Sequence, residues 1–283
     1  MKLCYQVATP DVAISPAVTA FQGKLECSFG RLSELGYEGV ELMTLNPLQL
    51  DWDEVKREAE RHCLDVVLVC TGEIFGQLNL SFMDKDESVR KEARKRIKEI
   101  IDFAAALGAF VNIGRVRGQY CNELSKEVSY EYAIDAFKDI SDYAGKKDVK
   151  IALESVTLMQ TNFINTIEEA VKVVKDVDNE YFKIMMDVFH LNIEEKNIFE
   201  VIEKYAEYNI HVHLADNNRR YPGHCGLDFE KVIKAFKTVG YDGAFCTEIF
   251  QIPDQDAAAQ GAIEHLRPIF ERIYNKQTEY FQG

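Results

Sequence analysis

Short runs of branched and aromatic residues recur along the chain, each followed by a longer stretch in which apolar positions return every third or fourth residue. The short runs read as strands buried on both faces, and the longer stretches as helices with one buried stripe. Strands are predicted over Lys2 to Val7, Gly39 to Met43, Asp65 to Cys70, Phe110 to Gly114, Lys150 to Glu154, Phe182 to Asp187, Ile210 to Leu214 and Gly243 to Ile249. Helices are predicted between and after them at 23–35, 52–63, 86–107, 129–146, 166–178, 196–207, 228–239 and 256–274. Gly36, Gly108 and Gly240 stand at or just past helix ends, where a left-handed residue closes the last turn.

Eight strand–helix alternations with no Pro/Ser-rich linker predict a single (β/α)8 TIM barrel of the α/β class over residues 1–275. An open doubly wound sheet would carry a glycine fingerprint after the first strand, and the sequence there is Ala8-Thr9-Pro10-Asp11. Residues 276–283, ending Glu279-Tyr280-Phe281-Gln282-Gly283, resemble a shortened engineered protease site and are set aside.

Composition narrows the picture further. With 47% apolar and 28% charged residues the chain is not of the disordered class, and its 283 residues suit one barrel. A net charge of −14 repels a phosphate backbone, so no nucleic-acid partner is expected. The seven cysteines are odd in number and include no Cys-x-x-Cys pair, which points to reduced thiols and the cytoplasm. No membrane association is expected, because no apolar run reaches the ~18 residues of a span. Met1-Lys2-Leu3-Cys4-Tyr5-Gln6 turns polar too soon for a signal peptide.

Functional groups of such barrels gather at the C-terminal strand ends. Strand five ends in Glu154, strand six in Asp187, strand seven in His211-Val212-His213, and strand eight in Glu248. A lone carboxylate at a strand end is ordinarily a helix cap or a surface charge. Four such groups on successive strands are another matter: converging carboxylates repel one another unless a cation sits among them. One nitrogen and three oxygens make a hard ligand set, suited to Mn²⁺ first, with Mg²⁺, Co²⁺ or Zn²⁺ able to replace it. No organic cofactor is expected. His211 and His213 project to the same side; His213, nearer the rim, is the expected ligand and His211 a hydrogen-bonded core histidine.

Around this rim lie further candidates. His190 falls on the expected exiting loop of strand six, and Arg219 in the polar stretch 216–226, placed to bind substrate hydroxyls or an anion. Arg115 and Arg117 after strand four either act likewise or lie on the surface, Tyr120 and Tyr221 are candidate lids, and the charge run from Lys85 to Lys98 is a solvated helix face.

Ala152-Leu153-Glu154, Met186-Asp187-Val188-Phe189-His190, the run from His211 to Gly223, and Thr247-Glu248 together resemble the xylose isomerase-like superfamily, and most of all its ketose 3-epimerase branch, the D-tagatose and D-psicose 3-epimerases. The resemblance implies metal ligation by Glu154, Asp187, His213 and Glu248, with Glu154 and Glu248 doubling as the catalytic acid/base pair. It also implies that His190 and Arg219 bind substrate, that the partner is a small sugar, and that the protein forms a homodimer or homotetramer. Where the family commonly has a second glutamate this chain has Gln160, which can hydrogen-bond a hydroxyl but cannot act as a base.

The expected chemistry is deprotonation and reprotonation of a carbon beside a carbonyl, through an enediolate stabilised by the metal. The same residues serve an aldose–ketose isomerase, including one of keto-inositol or hydroxypyruvate type, if the proton moves to the next carbon. A sugar-acid lyase or dehydratase would use the same enolate stabilisation but expel a hydroxyl, and a non-catalytic barrel subunit would keep the fold without the activity. An endonuclease of this superfamily would need several histidines from the N-terminal half, which holds only His62.

Overall fold

Alternation within each strand sends one set of side chains into the barrel and the other beneath the helices. In the computed structural model, which describes residues 1–274, the strands are β1 (Lys2–Ala8), β2 (Gly39–Met43), β3 (Asp65–Cys70), β4 (Phe110–Ile113), β5 (Ile151–Glu154), β6 (Phe182–Asp187), β7 (Asn209–Leu214) and β8 (Ala244–Thr247). All pair in parallel and in sequence order, and β1 also pairs with β8 in the register Lys2–Ala244 to Tyr5–Thr247, closing the barrel. The predicted (β/α)8 architecture is therefore observed, while residues 276–283 lie outside the described ones.

The outer layer comprises α1 (Leu25–Leu35), α2 (Trp52–Arg61), α3 (Gly72–Leu78), α4 (Glu87–Leu107), α5 (Lys126–Gly145), α6 (Ile167–Val177), α7 (Val188–Glu194), α8 (Ile198–Tyr205), α9 (Phe229–Thr238) and α10 (Gln255–Tyr274). Their starts follow capping chemistry: Asp51, Asp86, Ser125, Asn197 and Asp228 each accept a first-turn N–H, and Thr166 with Glu169 forms a capping box. Ser125 starts α5 three residues ahead of the predicted 129. Gly36, Gly108 and Gly240 have φ of +93°, +68° and +80°, the left-handed geometry expected of them.

Two short helices, α3 after β3 and α7 after β6, occupy segments expected to be loops. Beneath the helices, the outward faces of the strands join one large apolar core that includes Tyr5, Val40, Val111, Ile151, Val212 and Phe245. Inside the barrel, Ala8, Met43, Leu68, Cys70, Ala152 and Met185 form a separate apolar plug, and five polar side chains share that interior: Gln6, Glu41, Asn112, His211 and His213. Among the described residues no helix is long and apolar enough to cross a membrane.

Candidate metal and substrate site

Glu154, Asp187, His213 and Glu248 come from, or immediately follow, four neighbouring strands, and each offers a ligand atom lying within 4.8 Å of the others. His213 Nδ1 lies 2.7 Å from Glu248 Oε2, 3.6 Å from Asp187 Oδ2 and 3.9 Å from Glu154 Oε1. Every member is held by a donor or acceptor elsewhere in the fold. Asn112 Nδ2 donates to Glu154 Oε2 (3.2 Å), the Phe189 N–H to Asp187 Oδ1 (2.8 Å), and Thr19 Oγ1 to Glu248 Oε1 (2.8 Å). His213 Nε2 lies 2.8 Å from Glu41 Oε2, a carboxylate that also accepts from His211 (3.0 Å) and from Gln6 Nε2 (2.8 Å, on Oε1).

This wiring decides whether a cation fits. With its Nε2 proton given to Glu41, His213 turns Nδ1 toward three carboxylates, and that buried atom has no hydrogen-bond partner among the described residues despite its closeness to Glu248. A bare lone pair facing carboxylate oxygens is unfavourable, so the position calls for positive charge. Burial opposes a second proton on the His213 ring, but Glu41 and Glu248 outweigh it and push its pKa well above the usual range. A divalent ion answers the same demand, and the one-nitrogen, three-oxygen donor set fits it.

The two glutamates differ in proton affinity. Burial, reinforced by Glu248, pushes the Glu154 carboxyl up to about 8. Burial also works against ionisation of Glu248 and Asp187, but Arg219 overrides it and holds both below the usual carboxylate range. The Arg219 guanidinium donates to Asp187 Oδ2 (2.6 Å) and to Glu248 Oε2. Its backbone is left-handed (φ +59°), in a turn organised by Asp216. The buried Asp216 carboxylate collects the N–H groups of Asn217, Gly223, Cys225 and Leu227, so the stretch 216–226 is a built loop rather than a solvated one. Gly223 is required there: φ is +90°, and a Cβ would collide with the His265 ring.

His190 stands on a helix and not on the exiting loop expected from the sequence. It lies in α7, which Asp187 caps, and is buried. Its Nδ1 accepts the Thr157 N–H (3.3 Å) and burial lowers its pKa to about 4, so the ring is neutral. The proton on Nε2 then faces Glu154 Oε1 (3.8 Å) and Asp187 Oδ2 (3.9 Å). His211 is the hydrogen-bonded core histidine that the alternation suggested.

Glu154, His190, Arg219 and Glu248 open on a cavity of about 640 Å³, with Phe189 and Phe250 as aromatic walls and Gln160 on its exposed side. Neither Tyr120 nor Tyr221 is among its lining residues: Tyr120 packs on Phe163 (5.1 Å between ring centroids) and Tyr221 on His224 (5.2 Å). Arg117 is neither a surface nor a substrate residue. It is fully buried and donates to the carbonyls of Gly114, Glu154, Phe163 and Ile164. Arg115 lines the cavity, paired with Glu73. Sequence reasoning missed Gln6, Glu41 and Asn112, whose only signal is one polar residue at an inward position of an otherwise apolar strand.

The barrel, with an acidic and histidine cluster at the ends of β5 to β8, defines a class: the chain belongs to the xylose isomerase-like TIM barrel family, whose profile matches residues 29–269. Among known proteins it is 26% identical over 241 residues to a probable ketose 3-epimerase of Synechocystis sp., covering 84% of this chain and 83% of that one. It is 25% identical to the 3-dehydro-D-guloside 4-epimerase of Escherichia coli, covering 76% and 83%. A solved structure of D-psicose 3-epimerase with D-tagatose from Clostridium cellulolyticum H10 shares the fold with a TM-score of 0.80 and 21% identity, covering 96% of this chain and 99% of that one.

Proposed function

We propose that the protein is a metal-dependent epimerase of keto-sugars, of the ketose 3-epimerase type. The observation that carries this reading is the pairing of Glu154 and Glu248, two carboxyls of opposed proton affinity beside one cation position at the floor of a sugar-sized cavity. The names of the Synechocystis and Escherichia relatives support it.

Glu154, Asp187, His213 and Glu248 are the residues that hold the ion, Mn²⁺ in first place, with Mg²⁺, Co²⁺ or Zn²⁺ as substitutes. The bound ion supplies positive charge beside the substrate carbonyl, which makes the adjacent C–H acidic. Glu248, ionised, accepts the carbon-bound proton through a carboxylate oxygen, leaving an enediolate. Glu154, which retains its proton to higher pH, delivers one to the opposite face, and one carbon is inverted with no net change in composition. His190 Nε2–H and the Arg219 guanidinium hold substrate oxygens, and the Gln160 amide reaches a hydroxyl. Free thiols at all seven cysteines support a cytoplasmic setting, and the exposed Leu158 and Met159 support a homodimer or homotetramer.

The test is incubation of the Mn²⁺-loaded protein with a ketose panel in deuterated water. Deuterium entering at an inverted carbon without loss of water is the expected result. Loss of water identifies a lyase, migration of the carbonyl an aldose–ketose isomerase, and no exchange with any ketose or keto-glycoside overturns the reading.

A further inference from the structure

The proton that the proposed chemistry places on Glu248 changes what this carboxyl requires of its neighbours. Ionised, both of its oxygens accept hydrogen bonds; protonated, one of them becomes a hydroxyl that donates and accepts poorly. A fixed N–H donor suits only the ionised form. A neighbouring hydroxyl, with one proton, two lone pairs and a rotatable C–O bond, suits both, provided that a second acceptor stands within its reach.

Glu248 has such a neighbour. Its Oε2 lies toward the cation position, 2.7 Å from His213 Nδ1, and accepts from Arg219. Its Oε1 has one partner among the described residues, the Thr19 hydroxyl at 2.8 Å. That hydroxyl also lies 3.2 Å from Gln6 Oε1, an amide oxygen with no other donor among the described residues. The Gln6 amide resists reversal, because its NH₂ donates to Glu41 Oε1 (2.8 Å) and a carbonyl there would face a carboxylate. Main-chain bonds hold Thr19 between the two acceptors. Its carbonyl takes the N–H of Ile249 (3.1 Å), the residue after Glu248, and nearby Phe21 donates to the Gln6 carbonyl (2.8 Å) and accepts from Ala8 (2.9 Å). One proton therefore faces two acceptors, on a side chain that lines the same cavity as Glu248.

Oε1 is also the Glu248 oxygen that no cation holds, and so the one on which a proton costs least. We infer that Thr19 is a positioning residue for the proton acceptor: its hydroxyl donates to Glu248 Oε1 while the carboxyl is ionised and turns to Gln6 Oε1 once the carboxyl carries the proton. In that step the substrate C–H bond breaks, its electron pair stays in the enediolate, and an O–H bond forms at Oε1. Thr19 keeps its own proton throughout and only rotates about Cβ–Oγ1. Glu248 is thereby held in one orientation in both states. The inference deepens the keto-sugar epimerase reading above and rests on it.

The experiment follows deuterium incorporation by the Mn²⁺-saturated protein with the fastest-exchanging member of the ketose and keto-glycoside panel. Thr19→Val keeps the shape and removes the hydroxyl; Thr19→Ser keeps the hydroxyl and removes the methyl. In Thr19→Val kcat should fall about tenfold or more, the size of one lost hydrogen bond to a charged group, with KM and the Kd for Mn²⁺ within about threefold of the parent. Thr19→Ser should recover kcat to within about threefold. A merely structural role reverses that order, since valine preserves the packing and serine does not. Gln6→Met removes the second acceptor. Combined with Thr19→Val, its loss in kcat should fall short of the product of the two single losses by at least about threefold, because both break one arrangement. Parental kcat in Thr19→Val, or a loss that serine does not recover, overturns the role, and losses that multiply overturn the alternation with Gln6; each leaves the epimerase reading intact. A panel in which nothing exchanges removes that reading, and the role of Thr19 with it.

Discussion

Glu41→Gln keeps the shape of a side chain that solvent does not reach and removes its charge. Burial opposes ionisation of this carboxyl, yet His213 and His211 hold it well below the usual range, so the native group is an anion. It needs three acceptor sites, two on Oε2 for the histidines and one on Oε1 for Gln6. An amide has one acceptor oxygen and one NH₂ group, so one side must rearrange. If the oxygen stays with the histidines, Gln6 has to turn its own carbonyl toward residue 41 and its NH₂ toward Thr19 Oγ1, and the two histidines then share one neutral oxygen in place of an anion. If the NH₂ faces the histidines, His213 must move its proton to Nδ1, the atom that points into the ligand cluster. Either outcome disturbs His213: the first weakens the acceptor that fixes its Nε2 proton, and the second reverses the nitrogen turned toward the carboxylate cluster. Partners of this kind are typically worth about 10- to 100-fold in metal affinity, or about 1.4 to 2.7 kcal/mol. Competition for Mn²⁺ against a fluorescent chelator, with denaturant curves of both metal-free proteins to establish folding, should show the Kd raised by that factor. A folded variant whose Kd stays within about threefold of the parent would refute the reasoning.

Three further outcomes follow from the same geometry. Glu154→Gln and Glu248→Gln should each lower kcat for deuterium exchange by about 10² to 10⁴, the usual span for loss of a proton-transfer group, and either variant matching the parent would remove its assigned role. Metal uptake near pH 7 should release at least one proton, because Glu41 and Glu248 outweigh burial and hold the His213 ring protonated in the metal-free protein, and its Nδ1 must be bare to bind an ion. In sign, the raised His213 pKa contributes stability that is fully present below the ordinary histidine range and lost as pH rises above it, so metal affinity climbs over that interval. Titration calorimetry in buffers of different ionisation enthalpy checks it, and a buffer-independent heat sinks it. Arg117→Met strips four buried carbonyls of a charged donor and should cost at least about 3 kcal/mol. At this chain size that lowers Tm by roughly 6 to 12 °C, and a thermal midpoint within about 2 °C of the parent would show that water replaces the guanidinium.

What the sequence disclosed depended on how far apart the interacting residues stand. The barrel was legible because each βα unit is local: an apolar run, a cap such as Asp51 or Ser125, a helix stripe, and a glycine such as Gly36 at its end all fall within a few dozen residues. The ligand cluster was legible because Glu154, Asp187, His213 and Glu248 are polar residues at the ends of apolar strands, and barrel closure brings any such set to one rim. Short helices escaped for a local reason. Thr71 makes no side-chain cap for α3, and the cap of α7 is Asp187 itself, already read as a ligand.

The interior network escaped for a different reason: Glu41 meets His213 across 172 positions of chain, and a single glutamate in Gly39-Val40-Glu41-Leu42-Met43 carries no mark of its partner. Yet period-two alternation already places Gln6, Glu41, Asn112, His211 and His213 on the inward face. Buried polar groups need partners: Gln6, His211 and His213 all bond to Glu41, and Asn112 bonds to Glu154. Of the five, only His213 has a buried atom left over, Nδ1, and that atom faces Glu154, Asp187 and Glu248. The polar layer thus settles which nitrogen of His213 is turned to the rim, and the geometry of the candidate ligands is set from beneath by β1 and β2, two strands that contribute none of the four.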